Sequence, residues 1–298
     1  MRLRVLTVAA VAAALVGCGG GGDGKKTAAL PTITIGTKNF TEQYILGELY
    51  ARTLRKAGFR VVLKSDIGSS EIIDKALTAG SLDMYPEYTG VLLSEIAGDR
   101  RRPATAREAY DRAKTFEEKR GFTLLQATPF TDSNALAVLP AFAKKHGLKS
   151  ISDLKKVKGL RMGALPEFQT RFEGSVGLAS VYALKGFRFV ALQFPVRYQS
   201  LDDGKVDVLA VFTTEGQLSA GRYRVLDDAR NLFAFQNLAP VIRRDLARKY
   251  GNRLTGPLNA LSGRLTTDVM RRMNAAVDLK GEKPAAVAER FIKTGTPG

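Results

Sequence analysis

The segment Thr32–Leu63 constrains the fold of this chain more than any other stretch. A short apolar strand, Thr32–Gly36, turns at Thr37-Lys38 and enters a helix. In that helix Ile45, Leu46, Leu49, Tyr50 and Leu54 recur at three- and four-residue spacings, which gives it one apolar face. Gly58 is a stop signal, and the run Phe59–Leu63 is β-rich. Strand, helix and strand in this order predict a βαβ unit opening an α/β domain. Asn39 stands where a helix cap belongs, with Glu42 three residues on completing a capping box. The polar turn follows the carboxyl end of the first strand, where open α/β sheets bind ligands. Helix amides and the Lys38 ammonium favour an anion there. A capped helix start with a solvated lysine fits the same residues, and the pattern leaves both readings open.

A second copy of one arrangement lies far downstream. Leu77-x-x-Gly80-x-Leu82-Asp83-Met84 matches Leu201-x-x-Gly204-x-Val206-Asp207-Val208, and an aromatic follows each glycine by eight residues, Tyr88 and Phe212. The match suggests two lobes of similar α/β build with those aromatics at equivalent points; two ordinary core aromatics would look the same. Around the first copy, the loop Ser65–Ser70 feeds a helix over 71–79. A strand over 82–85 follows, and then a turn, Pro86–Gly90. Two apolar runs, Ala135–Leu139 and Leu238–Ile242, read as crossover strands. Residues 135–238 then form an inserted second lobe, and 32–134 with 239–298 form the first. Helices over 266–279 and 284–292 pack on the first lobe, with Pro284 suited to a first helical position. In the second lobe, Leu160–Ala164 is a strand and Pro166–Arg171 the turn after it. Arg171 there either forks onto a carboxylate, a geometry lysine cannot copy, or lies on the surface.

The formal charge is +17, from 46 Lys+Arg against 29 Asp+Glu. Such a balance raises nucleic acid or an anionic membrane as partners. The basic residues are scattered, however, and the longest tight cluster is Arg100-Arg101-Arg102. The N-terminus argues for export. Met1-Arg2-Leu3-Arg4 is a positive start, and Val5–Val16 is an apolar run too short to span a membrane normally. Leu15-Val16-Gly17-Cys18 resembles a bacterial lipobox, which implies a signal peptide over 1–17, lipidation of Cys18 and a tether over 18–31. Cys18 is the only cysteine, so no disulfide is expected. Export excludes a nucleic-acid partner. No Cys–His pair, Gly-x-Ser-x-Gly elbow, metal-ligand spacing or phosphate loop occurs. The sole histidine, His146, ends a polar helix. No enzyme activity, metal or cofactor is expected.

Several stretches occur together in order: Gly36-Thr37-Lys38-Asn39-Phe40-Thr41-Glu42-Gln43, Met84-Tyr85-Pro86-Glu87-Tyr88-Thr89-Gly90, Asp132-Ser133-Asn134-Ala135-Leu136-Ala137-Val138, Pro166-Glu167-Phe168 with Arg171, and Ala239-Pro240-Val241. In this the chain resembles the substrate-binding proteins of osmoprotectant ABC importers, which bind glycine betaine, choline or carnitine. The resemblance covers about residues 32–295 and implies an α/β, two-lobe type II periplasmic-binding-protein fold. It implies a monomer that hands its ligand to a permease at the membrane. It makes Lys38 and Arg171 partners of a ligand carboxylate, and Tyr88 and Phe212 walls of an aromatic cage around a quaternary ammonium. Asn39, Ser69, Ser70 and Asp132 complete the candidate ligand set. Three positions depart from the family pattern: Val91 replaces a carboxylate-binding threonine, and Asn134 and Gln236 replace cage aromatics. The resemblance therefore implies a thinner and more polar cage.

Overall fold

The structure is a computed structural model that describes residues 30–233 and 235–297. The signal segment 1–17, Cys18 and the tether up to residue 29 lie outside the described residues.

The opening βαβ unit forms as its pattern requires. Strand β1 (Thr32–Gly36) leads into helix α1 (Thr41–Lys56), and β2 (Arg60–Lys64) returns parallel to β1 with Thr32 opposite Arg60. The apolar stripe of α1 is buried without exception. Helix α2 (Ser70–Thr78) ends before Gly80, whose φ of 73° only glycine adopts easily. Strand β3 (Met84–Tyr88) is longer than expected and runs through Pro86. It pairs along its whole length with antiparallel β10 (Leu238–Arg243), Pro86 facing Pro240. A helical turn, α3 (Thr89–Val91), continues into the π-helical stretch Leu92–Ile96. Helix α4 (Ala106–Lys119) starts at Thr105, whose hydroxyl accepts from the Glu108 amide, and β4 (Phe122–Leu124) follows.

The chain then leaves the first sheet. Strand β5 (Asn134–Val138), helix α5 (Pro140–His146), β6 (Arg161–Ala164), α6 (Gly177–Val181), β7 (Arg188–Ala191), α7 (Arg197–Asp202), β8 (Val208–Phe212) and β9 (Arg224–Val225) build a second sheet before β10 rejoins the first. Helices α8 (Arg244–Ser262), α9 (Thr267–Asp278) and α10 (Pro284–Thr294) close the fold by packing on α1. Tyr50 in α1 and Ser262 share a hydrogen bond of 2.9 Å there.

The two sheets repeat one plan. Their orders are β2-β1-β3-β10-β4 and β7-β6-β8-β5-β9, each with three parallel strands and an antiparallel strand fourth. That fourth strand is the crossover in both. The repeated Leu-x-x-Gly-x-[Leu/Val]-Asp pattern has one structural meaning in each lobe. Asp83 accepts from the Thr34 amide at 2.8 Å, and Asp207 accepts from the Arg161 amide at 2.8 Å. Each carboxylate ties the start of a strand to its parallel neighbour, and the aromatic of each copy is the last residue of β3 or β8. Each lobe has its own core, Tyr85, Leu92 and Val241 in one and Leu136, Met162 and Tyr182 in the other. The two connections bridge at Thr131 and Asn237.

Candidate ligand-binding site

All ten ligand-site residues read from the sequence line one cavity between the lobes. The cavity is narrow, about 40 Å³, far below the roughly 300 Å³ at which ordinary ligand pockets begin. Its own side chains fill it. Lys38 is 4% exposed. Its Nζ donates to Glu87 Oε1 at 2.5 Å and Ser70 Oγ at 3.2 Å, and lies 4.3 Å from the centre of the Tyr88 ring. Burial pulls the Lys38 ammonium below its ordinary pKa, and the Glu87 carboxylate opposes that pull. The turn therefore presents a paired lysine, and neither a free anion site nor a solvated side chain describes it.

Arg171 does form a fork, but onto a carboxylate of the other lobe. Its Nε donates to Glu71 Oε1 at 2.9 Å and its Nη2 to Glu71 Oε2 at 2.8 Å. Burial alone would raise Glu71, yet the Arg171 contact prevails and holds that carboxyl at about 2. Ser69 supports the same carboxylate, donating to Oε2 at 2.6 Å.

The expected capping box at Asn39 and Glu42 is absent. Phe40 occupies the cap position and makes no side-chain cap bond. The Glu42 carboxylate is drawn inward, where Tyr88 Oη, Thr214 Oγ1 and Asn274 Nδ2 donate to it at 2.7, 2.5 and 3.1 Å. Three donors from distant segments outcompete a single local amide. Burial raises the Glu42 pKa even so. Asp132 accepts from the Thr214 amide at 3.1 Å, and burial followed by the nearby Glu42 pushes its carboxyl well above the usual range.

The two departures Asn134 and Gln236 both bond to the protein itself. Gln236 Oε1 accepts from the Val91 amide at 3.1 Å, and its Nε2 donates to the Glu173 carboxyl. A side chain at Gly90 would put Cβ 2.3 Å from Gln236 Nε2, so glycine there makes room for this amide. Asn134 Nδ2 donates to the Glu173 carbonyl at 3.4 Å. Burial, and next the neighbouring Glu95, raise Glu173 to about 8. The polar replacements and Glu173 thus form one network where aromatic walls were expected.

Phe40 joins Tyr88 and Phe212. Its ring lies 6.5 Å from Tyr88 and 5.3 Å from Phe212. A fourth ring, Phe194, stacks on Phe40 at 5.7 Å and 11°. No sequence signal marks either phenylalanine as part of the site. Phe40 lies within the motif Gly36–Gln43, and Phe194 follows β7 in a loop that no motif marks. A larger cavity of about 320 Å³ shares Phe40, Asp132 and Phe212 with the first.

Two lobes joined by two crossovers, with charged and aromatic side chains meeting between them, make a ligand clamp. Residues 31–294 match the family model described as the substrate-binding domain of ABC-type glycine betaine transport systems. The chain belongs to this family. It is 32% identical to a glycine-betaine-binding protein of Pseudomonas aeruginosa over 277 residues, 88% of this chain and 87% of that one. It is 28% identical over 88% of its length to an ergothioneine transport permease/binding protein of Helicobacter pylori, and spans 47% of that longer chain. A solved structure of a glycine betaine/carnitine/choline ABC transporter aligns with a TM-score of 0.70 at 27% identity, over 88% of this chain and 97% of that one. The protein is thus a substrate-binding protein of a glycine betaine/carnitine-type ABC importer, with the two-lobe α/β fold of that family. Such proteins work outside the cytoplasm. Among the described residues no helix is long and apolar enough to cross a membrane, and no group of His, Cys, Asp and Glu could hold a metal ion.

Proposed function

We propose that the protein is held to the membrane by a lipid on Cys18, captures a betaine-type zwitterion between its lobes and hands it as a monomer to a permease. The observation that carries this reading is the convergence of Lys38, Tyr88, Arg171 and Phe212 on one interlobe cavity from four separate segments. Arg171 takes the ligand carboxylate by exchanging it for Glu71, which already shows the bidentate geometry such a group needs. Tyr88, Phe212 and Phe40 offer ring faces to the quaternary ammonium. Lobe closure removes water from both ends of the ligand, and the permease reads the closed form. The lobes divide at 134/135 and 238/239, a reading supported by the starts of β5 and β10 at Asn134 and Leu238. The permease partner is supported by the relative whose name joins permease and binding protein.

A thermal-shift screen of the purified protein against glycine betaine, choline, carnitine and common amino acids tests the ligand class. A ligand at 100 times its Kd raises stability by about 2.7 kcal/mol. A screen in which amino acids shift the transition and all the betaines leave it unmoved would reject the reading. For the anchor, labelling with a fatty-acid analogue should mark the parent and spare Cys18→Ala, and equal labelling of both removes it.

A further inference from the structure

We propose that the end of the second lobe remote from the cleft is a docking surface for the phosphates of an anionic phospholipid membrane. Capture of a zwitterion makes no use of the chain's charge of +17, and in this lobe that charge is concentrated. Residues 140–161 hold seven Lys and Arg against one acid, Asp153, whereas the rest of residues 135–238 hold eight against eight. The whole positive excess of the lobe therefore lies in this one segment.

The fold turns that segment outward at one pole. Strand β5 begins in the cleft at Asn134 and leads away from it into α5. Strand β6 runs the other way, from Arg161 toward the cleft, where Arg171 follows it. The end of α5, the turn Ile151–Lys156 and the start of β6 thus lie at the end remote from the ligand site. The Arg188 amide donates to the Leu160 carbonyl at 2.8 Å, which brings one more exposed cation beside them. Leu148, Ile151, Leu154 and Leu160 hold the segment down by burial, and its six lysines are all exposed. Its one acid is already used: Asp153 accepts from the Lys149 and Ser150 amides at 2.9 Å each and pairs with Lys156 at 2.6 Å. Lys144, Lys145, Lys155 and Lys158 form no ion pair among the described residues. Their charges are left to act on an anion outside the protein.

An anionic bilayer fits this pole, because each lysine near its surface adds to the attraction and the effect falls away within a screening length. The nearness of a bilayer is the one point at which the inference rests on the reading above, with its export and its lipid on Cys18. Position adds a consequence. Strand β1 starts at Thr32 and runs toward the cleft, where Lys38 follows it. The chain therefore enters the first lobe at the end of that lobe remote from the cleft. The lipid then holds one end of the molecule and the lysines hold the other. Two such contacts lay the lobes side by side along the membrane, and both lobes are offered to a permease at the same height.

The test is co-sedimentation with vesicles of the chain from residue 25 onward, which holds both lobes and their cores whole and carries no lipid. Vesicles of phosphatidylglycerol and phosphatidylcholine in equal parts should bind it, and vesicles of phosphatidylcholine alone should not. Lys144→Gln, Lys145→Gln, Lys155→Gln and Lys158→Gln combined should weaken binding at least tenfold. The same loss of charge from exposed lysines of the first lobe, Lys56→Gln, Lys119→Gln, Lys249→Gln and Lys280→Gln, should weaken it less than threefold. Equal losses in the two variants, or equal binding to the two kinds of vesicle, overturn the docking surface. A single-stranded DNA whose binding needs the four pole lysines, with vesicle binding unmoved by their loss, would make nucleic acid the partner and overturns it as well. The comparison of the two vesicles uses the parent alone and requires no variant to fold. Because this chain carries no lipid, failure here leaves the Cys18 anchor standing, and failure of the anchor leaves the vesicle result standing.

Discussion

Arg171 and Glu71 meet across the cleft in a two-point ion pair, at 2.9 and 2.8 Å, with one partner from each lobe. Glu71 sits in the first turn of α2 and Arg171 in the turn after β6. If Arg171 takes a ligand carboxylate as proposed, the protein already supplies it with one of its own. On that proposal a ligand with a carboxylate competes with Glu71, and a ligand without one does not.

The first prediction follows from that competition. Glu71→Gln weakens the internal rival without removing the side chain. Charge-assisted hydrogen bonds contribute about 1.5–3 kcal/mol, so glycine betaine should gain about tenfold in affinity relative to choline, which lacks a carboxylate. Arg171→Ala should move the same ratio the other way by about ten- to a hundredfold. Calorimetric titration of both ligands against the three proteins decides the matter. A choline-to-betaine ratio constant across all three removes Arg171 from the site.

The second prediction concerns Lys38. Its partner Glu87 is 0% exposed, and removing the lysine leaves that carboxylate buried without its cation. Breaking such a pair from one side costs about 3–5 kcal/mol. Lys38→Met should therefore lower stability by about that amount, and Lys38→Met combined with Glu87→Gln should recover at least half of it. Urea unfolding of the two variants is the measurement. If the single variant unfolds at the parental midpoint, the pair contributes nothing to stability.

Much of this architecture was legible because it is written in local pattern. The stripe of α1 has helical period and a single buried face, so element and burial follow from spacing. The repeated Asp83 and Asp207 were visible as a motif because each performs the same local job, tying one strand start to its neighbour. The site was legible only as a set of residues. Glu42 reads as a capping residue because the motif is local, yet its partners lie 46, 172 and 232 residues away. Arg171 was readable as a fork, but not that Glu71, 100 residues distant, fills it. Phe194 and Asn274 carry no motif. They come together because a loop after β7 and the buried face of α9 reach the same cavity, which only the tertiary fold determines.

The third prediction is a pH dependence. Glu173 lies between the lobes, in contact with Gln236 and with its own amide 3.4 Å from Glu95 Oε1. Its pKa is raised from 4.5 to about 8 in the folded protein. A carboxyl raised in this way binds its proton more tightly folded than unfolded. Its contribution is full below the unfolded value and is lost as pH rises through about 8. The melting temperature of the parent should therefore fall between about pH 6 and 8.5 more steeply than that of Glu173→Gln. Glu117, raised to about 7 by burial, acts in the same direction in both proteins, so the difference between the curves isolates Glu173. Parallel curves would assign the effect elsewhere.

The last prediction separates glycine betaine from more polar ligands. Asn134 stands directly opposite Phe212 in the antiparallel pairing of β5 and β8. Side chains so paired share one face of the sheet and lie within contact. Asn134→Tyr thus places a further ring beside Phe212 at the cleft, at the cost of one long hydrogen bond of 3.4 Å to the Glu173 carbonyl. An added cation–π contact contributes about 0.5–2 kcal/mol, which is about two- to thirtyfold in affinity. The gain should favour glycine betaine over carnitine, because carnitine's hydroxyl loses the polar neighbour that asparagine provides. Gln236 has no such effect to contribute, since Val91 and Glu173 already hold its amide. Gln236→Tyr should instead destabilise the protein, with Glu173 left unpaired. The ratio of the carnitine and glycine betaine dissociation constants, measured by calorimetry in the parent and Asn134→Tyr, carries the test. A ratio that does not rise in the variant would show that position 134 does not face the ammonium.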